Sequence, residues 1–155
     1  VDACRYFFNA KPETQMEFDL GLAVREDSEN PVYYVQYAHA RICTLLKNLA
    51  ADGHTVPSPD AVDFSLLTDP TELALIKQIA GYSDIVRLAA RDYDPSFINR
   101  YLTDLAAAFH KFYNACRIKG EAEDLLNARL LLADTARSVL KNGMELIGCS
   151  APEKM

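Results

Sequence analysis

Apolar positions in this chain recur at helical rather than strand spacing. At about 100° per residue, Ile98, Leu102, Leu105, Phe109, Phe112 and Cys116 fall on one narrow face. A similar stripe runs through Leu126, Leu130, Ala133, Ala136, Leu140 and Met144, within a segment from roughly Ala122 to Ile147 that Gly148 and Pro152 stop. A third stripe, Val35, Ala38, Ile42, Leu45, Leu46 and Leu49, follows Asn30 and Pro31. Each predicts an amphipathic helix with one face in a core.

The starts of these helices are marked chemically. Asn30-Pro31 reads as an N-cap followed by proline at the first helical position, where its missing N–H costs nothing. Asp69-Pro70 repeats the device, with Glu72 completing a capping-box pattern, and Asp94-Pro95 repeats it again. Gly81 and Ser83 are expected to break the stretch 70–91 into two pieces, and ADGHTVPSPDAVDF, with Gly53, Pro57 and Pro59, reads as a loop. Residues 1–29 differ: Ala3 to Phe8 read as a helical remnant, and MEFDLGLAV as a short helix or an extended segment. No alternating strand pattern lies beyond residue 30, and there is no internal repeat. The expectation is an all-α helical bundle from residue 30 to 155, preceded by an acidic tail of something upstream.

Composition narrows the class. The 155 residues, 50% of them hydrophobic, suffice for one domain with a real core. No run approaches the ~18 apolar residues of a membrane span. VDACRYFFNAKPE lacks the basic and apolar regions of a signal peptide. The chain opens on Val1 without an initiator Met, as a processed chain or an excised fragment would. Cys4, Cys43, Cys116 and Cys149 lie tens of residues apart with no CxxC, and His39, His54 and His110 are scattered, so no metal site is expected. Thiols set in apolar helical patterns imply buried reduced cysteines and a cytoplasmic location. The net charge of −6 argues against a nonspecific nucleic-acid binder, and no DNA partner is expected. Yet residues 100–120 hold four Lys and Arg against one Asp, and such a basic segment can still hold a phosphate backbone.

Gly-rich phosphate loops, the GxSxG elbow and HExxH are absent, so the chain alone shows no catalytic machinery. Asp92 and Asp94 read as capping residues, and His110 as a structural residue on a helix flank. VYYVQYAHAR, residues 32–41, is more informative. With Tyr34 at 0°, the core stripe spans about 20° to 120°, while Tyr37 and Arg41 lie at about −60° and −20°. Tyr34, Tyr37 and Arg41 thus form a second stripe beside the core; Tyr33 is expected to point elsewhere, and His39 sits on the opposite flank. Periodicity alone favours rings sealing the bundle rim, with Arg41 stacked over one of them. The other reading is a platform of rings with a cation, the combination that unstacked bases use. Tyr113 and Arg117 in the basic segment add to that second reading.

VDACRYFF, EFDLGLA, ENPVYYVQYAHARI, DLAAAFHKFYNACRI, ARLLLADTARSVLKNGMELIG and the terminal SAPEKM occur in order along the chain. Together they resemble the C-terminal part of the arginyl-tRNA synthetases. The resemblance implies an all-helical anticodon-binding domain of the class I synthetase type at 30–155. Residues 1–29 would be the tail of the catalytic domain, whose lysine-rich signature loop and HIGH-type motif are missing here. It implies that the whole enzyme ligates arginine to tRNA(Arg) with ATP and Mg, whereas this fragment needs no cofactor and is inactive alone. The family's paired tyrosines correspond to Tyr34 and Tyr37, the tyrosine of its FYN-like motif to Tyr113, and its terminal methionine to Met155, positions that approach the anticodon loop. Arg41 and Arg117 join them as candidates, although arginines in such motifs also tie helices together; His39 and Asn114 follow. The terminal lysine of APEKM stands where arginine is common. Two alternatives remain: a related helical domain from a cysteinyl or methionyl enzyme, or a protein-interaction module docking through the aromatic flank.

Overall fold

The computed structural model describes residues 1–10 and 18–155. Among the described residues seven α-helices follow one another, α1 (Asp2–Ala10), α2 (Leu20–Ala23), α3 (Pro31–Ala51), α4 (Pro70–Ala80), α5 (Tyr82–Asp92), α6 (Ser96–Ala115) and α7 (Glu123–Leu146), with two 3-10 turns at Pro59–Ala61 and Phe64–Leu66. The described residues contain no strand. Of the stretch MEFDLGLAV, Leu20–Ala23 is a short helix, while Met16 and Glu17 lie outside the described residues.

Helix α6 is the centre: α1, α3, α4, α5 and α7 all pack against it. Its whole predicted stripe, Ile98 to Cys116, is buried, as is the α7 stripe from Leu126 to Met144. On α3, Val35, Ala38, Ile42 and Leu49 are buried, while Leu45 and Leu46 are half-buried against the core. Each fully buried Leu, Ile, Phe or Met contributes about 1.5–3 kcal/mol, so these stripes drive assembly. Gly143 lets α6 and α7 approach closely, because a Cβ there would stand 2.7 Å from Leu102 Cδ2.

The three Asx-Pro starts resolve differently. Asp69 forms a full capping box: its carboxylate accepts from Thr71 N at 2.8 Å, and Glu72 accepts from Asp69 N at 2.9 Å. Helix α3 does begin at Pro31, but the buried Asn30 side chain caps nothing; its amide donates to the carbonyls of Ala23 and Arg25. At the third, Asp94 Oδ1 accepts from Ser96 N at 2.9 Å and the helix starts one residue late, at Ser96. Gly81 separates α4 from α5, as expected.

Helix α1 covers the expected helical remnant and packs on α6 and α3. The Tyr6 hydroxyl donates to Asn99 O at 2.9 Å and Asn99 Nδ2 donates back to Tyr6 O at 2.9 Å. Burial pushes the Tyr6 phenol up to about 12. Arg5 and Asn9 reach the carbonyls of Gly148 and Ile147, joining α1 to the end of α7.

Candidate nucleic-acid interface

Helices α3 and α6 bring together a cluster of rings that neither helix holds alone. Tyr34 and Tyr37 approach the His110 imidazole with centroids at 5.2 Å and 6.0 Å. Arg41 bridges the two helices: its guanidinium carbon stands 4.3 Å from the Tyr113 ring centroid, and Nη1 lies 3.4 Å from His110 Nδ1. Tyr113 in turn rests on Phe109, with centroids 5.8 Å apart, and the fully buried Phe109 ties the cluster to the core.

Two open cavities flank Arg41. One, of about 450 Å³, is lined by Glu26, Ser28, Tyr33, Tyr34, Tyr37, Arg41, His110 and Asn114. The other, of about 280 Å³, is lined by Tyr37, Ala40, Arg41, Thr44, Leu45, Asn48, Tyr113 and Met155. Tyr37 and Arg41 belong to both, and Tyr37 is 43% exposed, so its ring is available from solvent. Tyr34, Tyr37, Arg41, Tyr113 and Met155 therefore converge, from α3, α6 and the end of the chain. Burial raises the Tyr34 phenol pKa. Burial, and then the Arg41 cation, lower that of His110 and favour its neutral form.

Arg117 lies elsewhere. It follows the end of α6, is exposed, and folds its guanidinium over Gly120, where an added Cβ would stand 3.7 Å from Nη2. The basic segment 100–120 forms no single strip: Arg100 lies over Phe97 at 5.0 Å and Lys119 pairs with Asp52 at 2.6 Å.

One residue departs from its expected direction, and another has partners that its own helix does not reveal. Tyr33 does not point away; its ring stacks on Tyr37 at 6.3 Å with 10° between planes, and it lines the first cavity. The i,i+4 spacing of the two rings was the available signal. His110, read as a flank residue, sits between the tyrosines and Arg41, three residues before Tyr113 on the same helix. His39 does lie on the far flank, buried, with Nδ1 2.9 Å from Pro152 O. Asn114 lines the first cavity. All four cysteines are free thiols.

A family model described as the DALR anticodon binding domain matches residues 35–155. The chain belongs to this DALR anticodon-binding family. An arginine–tRNA ligase of Ruminiclostridium cellulolyticum is 50% identical over 155 residues, and one of Acetivibrio thermocellus is 48% identical. Each alignment covers 99% of this chain, and the chain spans 28% of the length of either relative. The arginyl-tRNA synthetase of Thermus thermophilus superposes with a TM-score of 0.83 at 29% identity, over 99% of this chain and 26% of that one. The helical-bundle expectation and the family resemblance both hold. No helix among the described residues is long and apolar enough to cross a membrane.

Proposed function

We propose that this DALR domain binds the anticodon loop of tRNA(Arg) as the C-terminal part of an arginine–tRNA ligase. The observation that carries the reading is the Arg41 bridge, which sets a planar cation over Tyr113 and beside His110, in the lining of two open, ring-lined cavities. Loop bases are recognised when splayed out, stacked on rings and held at an edge or phosphate by a cation. Stacking is worth roughly 1–3 kcal/mol per base, so two or three such rings can dominate local affinity. All arginine codons share a middle guanine, which makes the middle anticodon cytosine the base every arginine tRNA presents. Tyr34, Tyr37, Tyr113, Arg41 and Met155 are the residues proposed to meet the loop. Arg117, outside both cavities, is proposed only as a phosphate contact.

Ligation belongs to the rest of the enzyme in this reading. ATP and Mg are proposed to act in the upstream catalytic part, where the Gly-rich and signature motifs absent from this sequence would lie. Residues 1–29 are proposed to continue from the upstream catalytic domain, with α1 already docked on the bundle. Titration with an anticodon stem-loop RNA tests the reading. Replacing the middle cytosine should weaken binding markedly, and affinity should fall steeply with salt. Equal binding of loops with and without that cytosine would overturn it, and saturable binding of a protein partner with no RNA response would favour an interaction module.

A further inference from the structure

The chain end takes a defined path across α3. After Gly148 turns with φ 73°, Ser150 donates to the Asp2 carboxylate from its backbone N at 3.1 Å and from its hydroxyl. Gln36 Nε2 donates to the same carboxylate at 2.8 Å and to Ser150 O at 3.1 Å. One turn further along α3, His39 Nδ1 lies 2.9 Å from the Pro152 carbonyl. A carbonyl only accepts, so this contact sets the Nδ1–H tautomer. Glu153 and Lys154 then pass over the flank that carries Cys43 and Lys47, and Met155 reaches the cavity of Tyr37, Arg41 and Tyr113.

His39 is 1% exposed and touches neither ring-lined cavity, yet it makes the last tether before the residues that reach one of them. Met155 lies three residues beyond Pro152. A free segment of that length samples many positions, while one pinned at Pro152 samples few. We propose that His39 is a positioning residue whose Nδ1–H fixes the Pro152 carbonyl and so holds Met155 as a wall of the Tyr37–Arg41–Tyr113 cavity. Its effect on RNA rests on the reading that this cavity receives a loop base. The placement of Met155 does not.

The chain has three methionines, Met16, Met144 and Met155, so methyl-labelled methionine gives a three-signal NMR spectrum. The Met155 methyl should show cross-peaks to the Tyr37 and Tyr113 rings, and His39→Leu should abolish them while the fully buried Met144 signal stays in place. His39→Asn, which returns an N–H near the same point, should restore them. Binding of the anticodon stem-loop should fall roughly tenfold in His39→Leu, the scale of losing the burial of one methionine side chain against the RNA. Deleting Met155 should give the same loss, and the combined variant should be no worse. Unchanged Met155 cross-peaks in His39→Leu, or losses that multiply in the combination, would overturn the proposal. If His39→Leu shifts Met144 and so perturbs the fold, His39→Phe, which keeps a ring in place of the imidazole and removes the Nδ1–H, decides by the same cross-peaks. Correct NMR behaviour with no RNA binding by the unaltered chain would uphold the positioning role and remove the anticodon reading.

Discussion

Arg41 lies face-on to Tyr113, its guanidinium carbon 4.3 Å from the ring centroid, and this contact joins α3 to α6 in the lining of the cavity that Met155 also lines. A partly exposed cation–π contact is worth about 0.5–1 kcal/mol. Arg41→Ala is therefore expected to lower stability by no more than about that amount in a urea melt. Its effect on RNA should be larger, because the cation that faces both cavities is lost. Arg41→Lys keeps the charge but not the plane, and should recover less than half of the lost binding energy. Full recovery by lysine would mean that Arg41 supplies charge alone.

Tyr37 separates stacking from hydrogen bonding. Its ring stacks on Tyr33 and approaches His110, and it is exposed enough to meet a base from solvent. Tyr37→Phe should bind the stem-loop within about twofold of the parent, whereas Tyr37→Ala should lose roughly 1–3 kcal/mol. Equal losses in the two variants would assign the effect to the hydroxyl. Tyr33→Ala is expected to weaken binding too, by removing the ring that supports Tyr37.

The helices were legible because each stripe is local. Ile98 to Cys116 and Leu126 to Met144 declare their buried faces through spacing alone, and Asp69, Pro70 and Glu72 declare a helix start through cap chemistry. What the spacing could not show is which faces meet. His110 looked inert on its own helix because its partners, Tyr34, Tyr37 and Arg41, come from α3. The charges of 100–120 looked like a strip because they are close in sequence, yet around a helix and past its end they spread over several surfaces. Asn30 resembled an N-cap, but burial beside the end of α2 gave its amide better partners in Ala23 and Arg25. Met155 entered as a candidate through family resemblance; its route across α3 depends on contacts more than a hundred residues apart in sequence.

Glu72 does two jobs with one carboxylate. Oε2 closes the α4 capping box, and Oε1 accepts from Arg129 Nε at 2.6 Å, in a pair with side chains 1% and 12% exposed. Arg129 Nη1 also donates to Arg117 O at 2.5 Å, pinning the α6–α7 connection. Arg129→Met leaves a buried carboxylate unpaired and should cost about 3–5 kcal/mol in urea unfolding. Adding Glu72→Gln removes the orphaned charge and should recover part of that loss. A double variant less stable than Arg129→Met would show that the pair is not the source of the cost.

Stability should also depend on pH through two imidazoles, buried His39 and half-buried His110. For His39, burial lowers the pKa, the Pro152 hydrogen bond pulls it partly back, and Arg137 lowers it again. For His110, burial and then Arg41 act in the same downward direction. Both folded-state values lie below the ordinary 6.5, so between them and 6.5 the unfolded chain binds more protons than the folded one. Stability is then complete above about 6.5 and falls as pH drops through the window beneath it. Asp2, Asp27, Asp63, Asp69 and Asp92, whose values sit under 3.8, open a separate window only below that value. Urea midpoints should accordingly hold steady from pH 8 to 7, then decline towards pH 5. Replacing His110 by Gln, which cannot take up the proton, should flatten part of that decline. A midpoint that stays level down to pH 5 would show that neither imidazole is held neutral by the fold.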